Sequence, residues 1–266
     1  MASTDQGVAL RIELGAATHV GLVREINEDS LLAEHNLAVI ADGMGGHARG
    51  DLASRRAVEQ FKLLVAEDHL SPAQIEGAID AANRSILDEV AIAPGLAGMG
   101  TTLAGVALIE YGGTPHWLVF NIGDSRVYRV NRGGVEQLTV DHSEVAELIA
   151  AGQLTRQEAR THPARHVITR SLGTDPAPVP DVWIFPTSPA GDTFVACTDG
   201  LTNEVGEHEI AAIVHAAHSP RDAAANLVDA AVTAGGRDNV TAAVVSLAPS
   251  VADDIEVATA PRGGHA

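Results

Sequence analysis

The stretch LAVIADG at residues 37–43 is an apolar run that ends abruptly in Asp42 and Gly43. A short apolar run predicts a buried β-strand, and Asp-Gly predicts the loop that follows it. Similar runs precede Asp124 and Asp199, and Asp238 leads from a glycine-rich turn into another run. A single Asp-Gly pair usually forms only a turn, because aspartate bonds to local backbone and glycine accepts a positive φ. Four acidic loops beside strands predict carboxylates that meet at one end of a sheet structure.

The rest of the chain alternates between strand-like and helix-like segments. Strands are predicted at residues 8–20, 37–41, 101–109, 117–122, 126–130, 194–198 and 240–247. Helices are predicted at residues 50–66, from Ser71 onward with Gln74 in the capping-box position, and at residues 220–232. Hairpin-like strands with paired helices between them favour an α+β layered fold over a doubly wound parallel sheet. We expect one domain at residues 8–248, followed by a disordered acidic tail at residues 249–266.

Composition narrows the possible partners. The 266 residues carry 17 Lys and Arg against 35 Asp and Glu, and the net charge of −18 disfavours nucleic acids and anionic membranes. Residues 1–7 lack a basic start and an apolar run, and no later stretch approaches a membrane span, so we expect a cytoplasmic protein. The single cysteine, Cys197, is predicted to be a buried strand residue. It is not a tyrosine-phosphatase nucleophile, because Asn203 stands where that loop needs arginine.

The acidic loops also predict a metal site. Converging carboxylates repel one another unless cations lie between them, and sites made only of oxygen donors suit Mg²⁺ or Mn²⁺ better than Zn²⁺. Two such ions would serve phosphoryl hydrolysis, although similar carboxylate clusters also serve nucleases. Arg24, four residues before the acidic pair Glu28-Asp29, has the planar fork that suits a phosphate. The alternative for Arg24 is a surface ion pair with Glu25 or Glu28.

Six short motifs follow one another along the chain. They are RxxNED at residues 24–29, ADGMGGH at 41–47, MGTTL at 99–103, NIGDSR at 121–126, CTDGL at 197–201 and RDNVT at 237–241. Their order and spacing resemble those of the metal-dependent protein phosphatases, the type 2C serine/threonine family, in its bacterial form. The resemblance covers residues 8–247. It implies a four-layer α-β-β-α sandwich of two antiparallel sheets flanked by helix pairs, with a metal centre at one end.

The resemblance also implies how the metal centre is built. Asp42 would bridge two ions, either Mn²⁺ or Mg²⁺, and the carbonyl of Gly43 would bind the second of them. Asp199 and Asp238 would hold the first ion, and Glu28 would act through metal-bound water. The ions would activate a water for direct attack on phosphorus, without a covalent intermediate.

Further positions take supporting roles by the same resemblance. Asp124, together with Asp199, would hold a third and weaker ion, Asp29 would support the site by hydrogen bonds, and Arg24 would bind the substrate phosphate. Eukaryotic relatives often carry a histidine where this chain has Met44, so the general acid is unassigned. His47 fits the bacterial DGMGGH pattern, and a structural role in its loop is favoured over proton donation.

A polar helical insertion, predicted as one surface helix at residues 143–160, matches a flap that bacterial relatives carry beside the active site. We place this flap at residues 143–166, and we interpret His142, His162 and His166 as solvated surface residues rather than metal ligands.

The resemblance implies a protein serine/threonine phosphatase that hydrolyses phosphoserine and phosphothreonine, and we expect a monomer. Its partners would be phosphorylated proteins, namely serine/threonine kinases and the proteins they modify, or phosphoproteins of anti-sigma pathways. Two alternatives are a pseudophosphatase that keeps the fold as a binding module, and a metal-dependent nuclease or small phosphomonoesterase. Loss of the metal aspartates would signal the first alternative, and none is lost here.

Overall fold

Two antiparallel β-sheets packed face to face form the centre of the computed structural model, which describes residues 10–45, 49–188 and 191–249. The strands are β1 Leu10–His19, β2 Asp29–Glu34, β3 Leu37–Met44, β4 Gly100–Thr101, β5 Leu103–Tyr111, β6 Thr114–Ile122, β7 Arg126–Asn131, β8 Gly134–Gln137, β9 Asp181–Pro186, β10 Thr193–Cys197 and β11 Val240–Pro249. The helices are α1 Gly50–Phe61, α2 Pro72–Ile92, α3 Glu144–Ala150, α4 Arg156–Ala159, α5 Asp199–Thr202, α6 Glu207–Ala216 and α7 Pro220–Ala234.

The strand order defines two layers. One sheet runs β1-β11-β10-β7-β8, and the other runs β2-β3-β5-β6-β9, with β4 pairing to the end of β3. Neighbouring strands are antiparallel in both sheets. The first five residues of β3 are all apolar because both faces of the strand are covered there: Ala38 and Ile40 pack between the sheets, whereas Val39 and Ala41 pack toward the helices. A strand buried on both faces has no polar alternation.

Helices cover the outer face of each sheet. Helix α1 packs on β3 and against α2, and Phe61 of α1 stacks on Phe120 of β6 with ring centroids 5.5 Å apart. On the other side, α7 packs on β1 and β11 and against α6. Ser71 and Gln74 form the expected capping box at the start of α2. The predicted α-β-β-α sandwich is therefore confirmed.

Several predicted bounds were wrong. Helix α1 ends at Phe61 rather than residue 66, because the chain tightens there into a 3-10 turn at Lys62–Leu64. The insertion is not one helix over residues 143–160. Gly152, with φ of 68°, follows the end of α3, and a Thr155–Glu158 capping box starts α4. Strands β2, β8 and β9 and helices α5 and α6 were not predicted at all.

Two predictions concern residues at the ends of the chain. Residues 8 and 9 of the first predicted strand and the acidic tail beyond residue 249 lie outside the described residues. Within the described part, no helix has both the length and the apolar composition needed to cross a bilayer.

Candidate active site

Strand register brings the acidic loops to one end of the sandwich. Cys197, at the end of β10, pairs with Ala242 of β11 and with Arg126 of β7. The segments just beyond these residues carry Asp199, Asp238 and Asp124, which therefore lie at the same edge of the first sheet.

The second sheet brings its acidic residues to the same place. Asp29 at the start of β2 pairs directly with Asp42 in β3. Two local expectations were wrong here. Asp42 lies inside β3, which continues to Met44 by pairing with β4, and Asp199-Gly200 opens the one-turn helix α5 instead of forming a turn.

The carboxylates of this cluster share one electrostatic environment. Burial raises the pKa of Asp42 well above its ordinary value, and the charges of Asp29, Asp199, Asp124 and Asp238 raise that pKa further. Burial followed by the charge of Asp199 raises the pKa of Asp124 to about 7. Burial also raises the pKa of Asp199, and the charge of Asp238 adds to that rise. The negative charges of the cluster and burial thus together disfavour the ionised forms of Asp42, Asp124 and Asp199.

These residues fit a hard divalent cation. The candidate donors are oxygen atoms, and Asp29 Oδ1 is buried without a hydrogen-bond partner in the described part of the chain. A cation among the carboxylates would offset their mutual repulsion. Among the described residues, no three Asp, Glu, His or Cys side chains are arranged so that they could hold a metal ion by themselves. We therefore define the cluster by the electrostatic effect of its carboxylates on one another, and not by a set of metal ligands.

Arg24 joins this cluster from the loop between β1 and β2. Its Nη2 donates to Asp238 Oδ2 at 2.9 Å, and the Arg24 side chain remains half exposed. The alternative pairing with Glu25 or Glu28 is wrong, since the partner lies 214 positions away in sequence. The hydrogen bond from Arg24 to Asp238 and the neighbouring charges of Asp238, Glu28 and Asp42 raise the pKa of the guanidinium. A cation with exposed donors therefore lies at the rim of the acidic cluster.

Asn239 holds the loop that carries Arg24, and sequence reasoning missed this role. The side chain is 5% exposed, and its Nδ2 donates to the carbonyls of Val20 and Ile26, both at 2.9 Å. Its Oδ1 accepts from the backbone N–H of Glu28 at 2.8 Å. The only signal in the sequence was an asparagine directly after Asp238 and before an apolar strand.

Asp29 lies beneath the cluster as a hydrogen-bond acceptor. Thr198 and Thr241 donate to Asp29 Oδ2 at 3.0 and 2.7 Å. Burial raises the pKa of Asp29 to about 7, even though these two hydrogen bonds lower it. The hydrogen bonds tie the start of β2 to the end of β10 and to β11, so one residue connects the two sheets at the active-site end.

Backbone packing at Gly43 leaves no room for a side chain. A Cβ on Gly43 would overlap the carbonyl of Gly50 at the start of α1 and the carbonyl of Glu28. The Gly43 N–H donates to that Glu28 carbonyl at 3.1 Å, and a Cβ on Gly50 would lie 2.8 Å from Glu28 Oε1. Thr102 fixes Asp42 by accepting from its N–H at 2.9 Å. Glu28, Asp42 and Gly43 are thus brought together at the start of α1.

The base of the flap is anchored by His142, and our interpretation of this histidine as solvated was wrong. It is 7% exposed; Nδ1 accepts from the N–H of Gly123 at 3.0 Å, and Nε2 contacts Asp181 Oδ2 at 3.1 Å. The Thr169 N–H donates to the His142 carbonyl at 2.9 Å, which closes the flap at its base. Because Gly123 precedes Asp124, the flap base is joined to the loop of the expected third metal.

The predictions for three other histidines and for Cys197 had different outcomes. His166 is exposed, as expected, and its charge lowers the pKa of Asp199. His162 is half-buried. His47 lies outside the described residues, so its role stays a prediction. Cys197 is fully buried in β10, as predicted.

Comparisons with known proteins relate this chain to a described family. The family model described as protein phosphatase 2C matches residues 24–234. Serine/threonine protein phosphatase PstP of Mycobacterium tuberculosis is 36% identical over 245 residues, which cover 90% of this chain and 46% of PstP. This chain therefore spans about half the length of PstP.

A second curated relative matches over nearly its whole length. Protein phosphatase PhpP of Streptococcus pneumoniae is 34% identical over 246 residues, 89% of this chain and 98% of PhpP. Among solved structures, the catalytic domain of serine threonine protein phosphatase PstP in complex with two manganese ions is 32% identical. It covers 90% of this chain and 99% of that domain, with a TM-score of 0.78.

Proposed function

This chain belongs to the protein phosphatase 2C family, and from that premise we propose that it is a metal-dependent phosphatase of phosphoserine and phosphothreonine in proteins. The observation that supports this most is the hydrogen bond from Arg24, which is half exposed and suited to binding an anion, to Asp238 at the rim of a half-buried carboxylate cluster. A phosphate needs a cationic group, and an acidic site without cations would repel it.

We assign the metal-binding role to the acidic cluster. Asp42, Asp199 and Asp238, with the carbonyl of Gly43 and with Glu28 acting through water, are the residues that would hold two Mn²⁺ or Mg²⁺ ions. When bound, such ions supply positive charge that lowers the pKa of water and balances the charge of a phosphoryl group. The solved PstP domain with two manganese ions supports this choice of metal. A third, weaker ion at Asp124 is part of the same proposal.

The protein's own side chains then orient the substrate. Arg24 would donate to two phosphate oxygens through its planar fork, which fixes the phosphorus for attack from the side of the cluster. Asn239 holds the loop of Arg24 and the backbone of Glu28 in place. Asp29 keeps the two sheets joined beneath the site through Thr198 and Thr241.

The substrates would be phosphoproteins, and we propose that serine/threonine kinases produce them. The named serine/threonine phosphatases among the relatives support phosphoprotein substrates. A monomeric state and a cytoplasmic location stay predictions, and the general acid is unassigned, since Met44 stands where eukaryotic relatives often carry a histidine. A nuclease activity is disfavoured by the net charge of −18 and by the family match.

The test measures phosphate release from a phosphothreonine peptide by the purified full chain. We expect hydrolysis with Mn²⁺, none after EDTA and none of DNA. Asp238→Ala should abolish turnover, whereas Asp229→Ala, an exposed acidic residue of α7, should leave turnover unchanged. Full Mn²⁺-dependent activity in Asp238→Ala would contradict the metal assignment, and a wild-type chain inert toward every phosphopeptide would favour the pseudophosphatase.

A further inference from the structure

Three exposed apolar side chains flank Arg24 in the sequence of the loop between β1 and β2, and we propose that they bind the substrate segment next to the phosphorylated residue. This patch, which we call the Arg24 patch, consists of Leu22, Val23 and Ile26. We infer that it favours phosphoproteins with apolar residues flanking the phosphoserine or phosphothreonine. The inference rests on the proposed phosphatase function and adds a substrate preference to it.

The Arg24 patch is unusually exposed for apolar side chains. Leu22, Val23 and Ile26 are 67%, 68% and 62% exposed. Nine large apolar side chains are exposed among the described residues, and these three fall within five consecutive positions. Scattered exposed apolar residues need no explanation, but clustered ones mark binding surfaces.

The loop is held in the conformation that exposes these side chains. The N–H of Leu22 donates to the Gly236 carbonyl at 2.6 Å, and a Cβ on Gly236 would lie 3.0 Å from Leu22 Cγ. Asn239 fixes the loop at the carbonyls of Val20 and Ile26. The patch thus rests on the turn that leads to Asp238, and its exposure is not the result of a loosely attached segment.

Arg24 lies between Val23 and Ile26 in the sequence, so the ligand of Arg24 determines which chain can cover the Arg24 patch. A phosphate bound by Arg24 brings its own chain neighbours over Leu22, Val23 and Ile26. The five-residue stretch is at most about 14 Å long when extended, so it reaches side chains within about four residues of the phosphorylated one. The patch is therefore continuous with the proposed phosphate site.

Charge argues against other occupants. An anionic membrane surface or a second copy of this chain would meet a molecule with a net charge of −18. The patch itself is bordered by Glu25, which is exposed. A phosphopeptide concentrates its negative charge on the phosphate, which Arg24 binds, and presents neutral apolar side chains to the patch.

The experiment compares two phosphothreonine peptides of equal length and charge in the full chain with Mn²⁺. One has valine or leucine on both sides of the phosphothreonine, and the other has serine. We expect kcat/KM to be about ten-fold higher for the apolar peptide than for the serine peptide. This ratio is at the low end of the discrimination that apolar contacts provide, because the patch is open to solvent. The variant L22S/V23S/I26S should remove this preference and keep the wild-type rate on p-nitrophenyl phosphate, which has no amino-acid residues flanking its phosphate.

The control variant is L63S/I92S, which changes two side chains that are 75% and 80% exposed outside the Arg24 loop. It should retain the peptide preference. Val23→Ser alone replaces the triple variant if the latter fails to fold, and V23I should keep the preference.

Three results overturn the inference, and the first two are no preference in the wild-type chain and, in the patch variant, an equal loss on p-nitrophenyl phosphate and on both peptides. An unaltered preference in the patch variant also overturns it. A wild-type chain that hydrolyses neither peptide instead contradicts the proposed function, so the two failures are distinguishable.

Discussion

Asn239 is the side chain whose removal we expect to loosen the loop that carries Arg24. It accepts one hydrogen bond and donates two, and its three partners are backbone groups of Glu28, Val20 and Ile26. Neutral hydrogen bonds contribute about 1 kcal/mol each to net stability, so the three together set an upper value of about 3 kcal/mol. Because Val20 and Glu28 are only half-buried and Ile26 is exposed, water can replace part of this. We expect Asn239→Ala to lower the free energy of unfolding by about 2 kcal/mol.

Urea unfolding measures this change directly. The midpoint should fall while the m-value stays constant, since the surface exposed on unfolding is the same. Asn226→Ala, which truncates an exposed asparagine on α7, is the matched control and should stay within about 0.5 kcal/mol of wild type. Asn239→Asp keeps the acceptor for Glu28 but sets a charge against the Val20 and Ile26 carbonyls. It should be no more stable than Asn239→Ala if the two donated bonds matter.

We expect Asn239→Ala to weaken substrate binding by loosening the loop that carries Arg24. A loosened loop must be ordered when phosphate binds, and a cost of about 1.4 kcal/mol corresponds to a ten-fold rise in KM. We therefore expect KM for p-nitrophenyl phosphate to rise about ten-fold in Asn239→Ala. In an Arg24→Ala background the same substitution should raise KM little further, because the two residues then act in one unit. An Asn239→Ala protein with wild-type stability, or fully additive effects on KM in the double variant, would refute this reasoning.

Two further predictions concern packing and the cysteine. Gly15→Ala should destabilise by about 3 kcal/mol in thermal or urea unfolding, because a Cβ would overlap the Arg221 backbone at the start of α7. Gly77→Ala in α2, where a Cβ meets open space, should instead stabilise by up to about 1 kcal/mol; a loss in both variants would contradict this contrast. Burial raises the pKa of Cys197 to about 12 from its ordinary 9.0, so the native thiol should resist alkylation below pH 9 and react once unfolded. The raised pKa means that the stability due to the neutral thiol is complete below pH 9 and is lost as pH rises toward 12, and rapid labelling of native protein at pH 8 would contradict this burial.

Local sequence patterns were enough to predict the strands and helices that have a regular burial pattern or a local cap. The run LAVIA in β3 is apolar because both faces are covered, and the Ser71–Gln74 box starts α2 by bonds within one turn. Periodicity and capping act over a few residues, so they can be read from the chain. Strand β9 escaped prediction because its side chains are only half-buried, and so its pattern is weak.

Burial of the flap base could not be predicted from local sequence patterns. His142 stands in a polar segment, and only the fold places it against Gly123 and Asp181. A histidine in such a segment is indistinguishable from a solvated one until its neighbours are known. Helix α5 was missed for a similar reason, since four residues are too few to show a helical period.

The four acidic loops were determined by sequence alone: each aspartate lies in or beside an apolar strand, and their order with Arg24 carries the family resemblance. Only the tertiary structure decided which partners these residues have. Arg24 bonds to Asp238 across 214 positions, and Asp29 bonds to Thr241 across 212, because the packing of one sheet on the other brings the starts of β2 and β11 together. A side chain's type is local, whereas its partner depends on strand pairing summed over the whole fold.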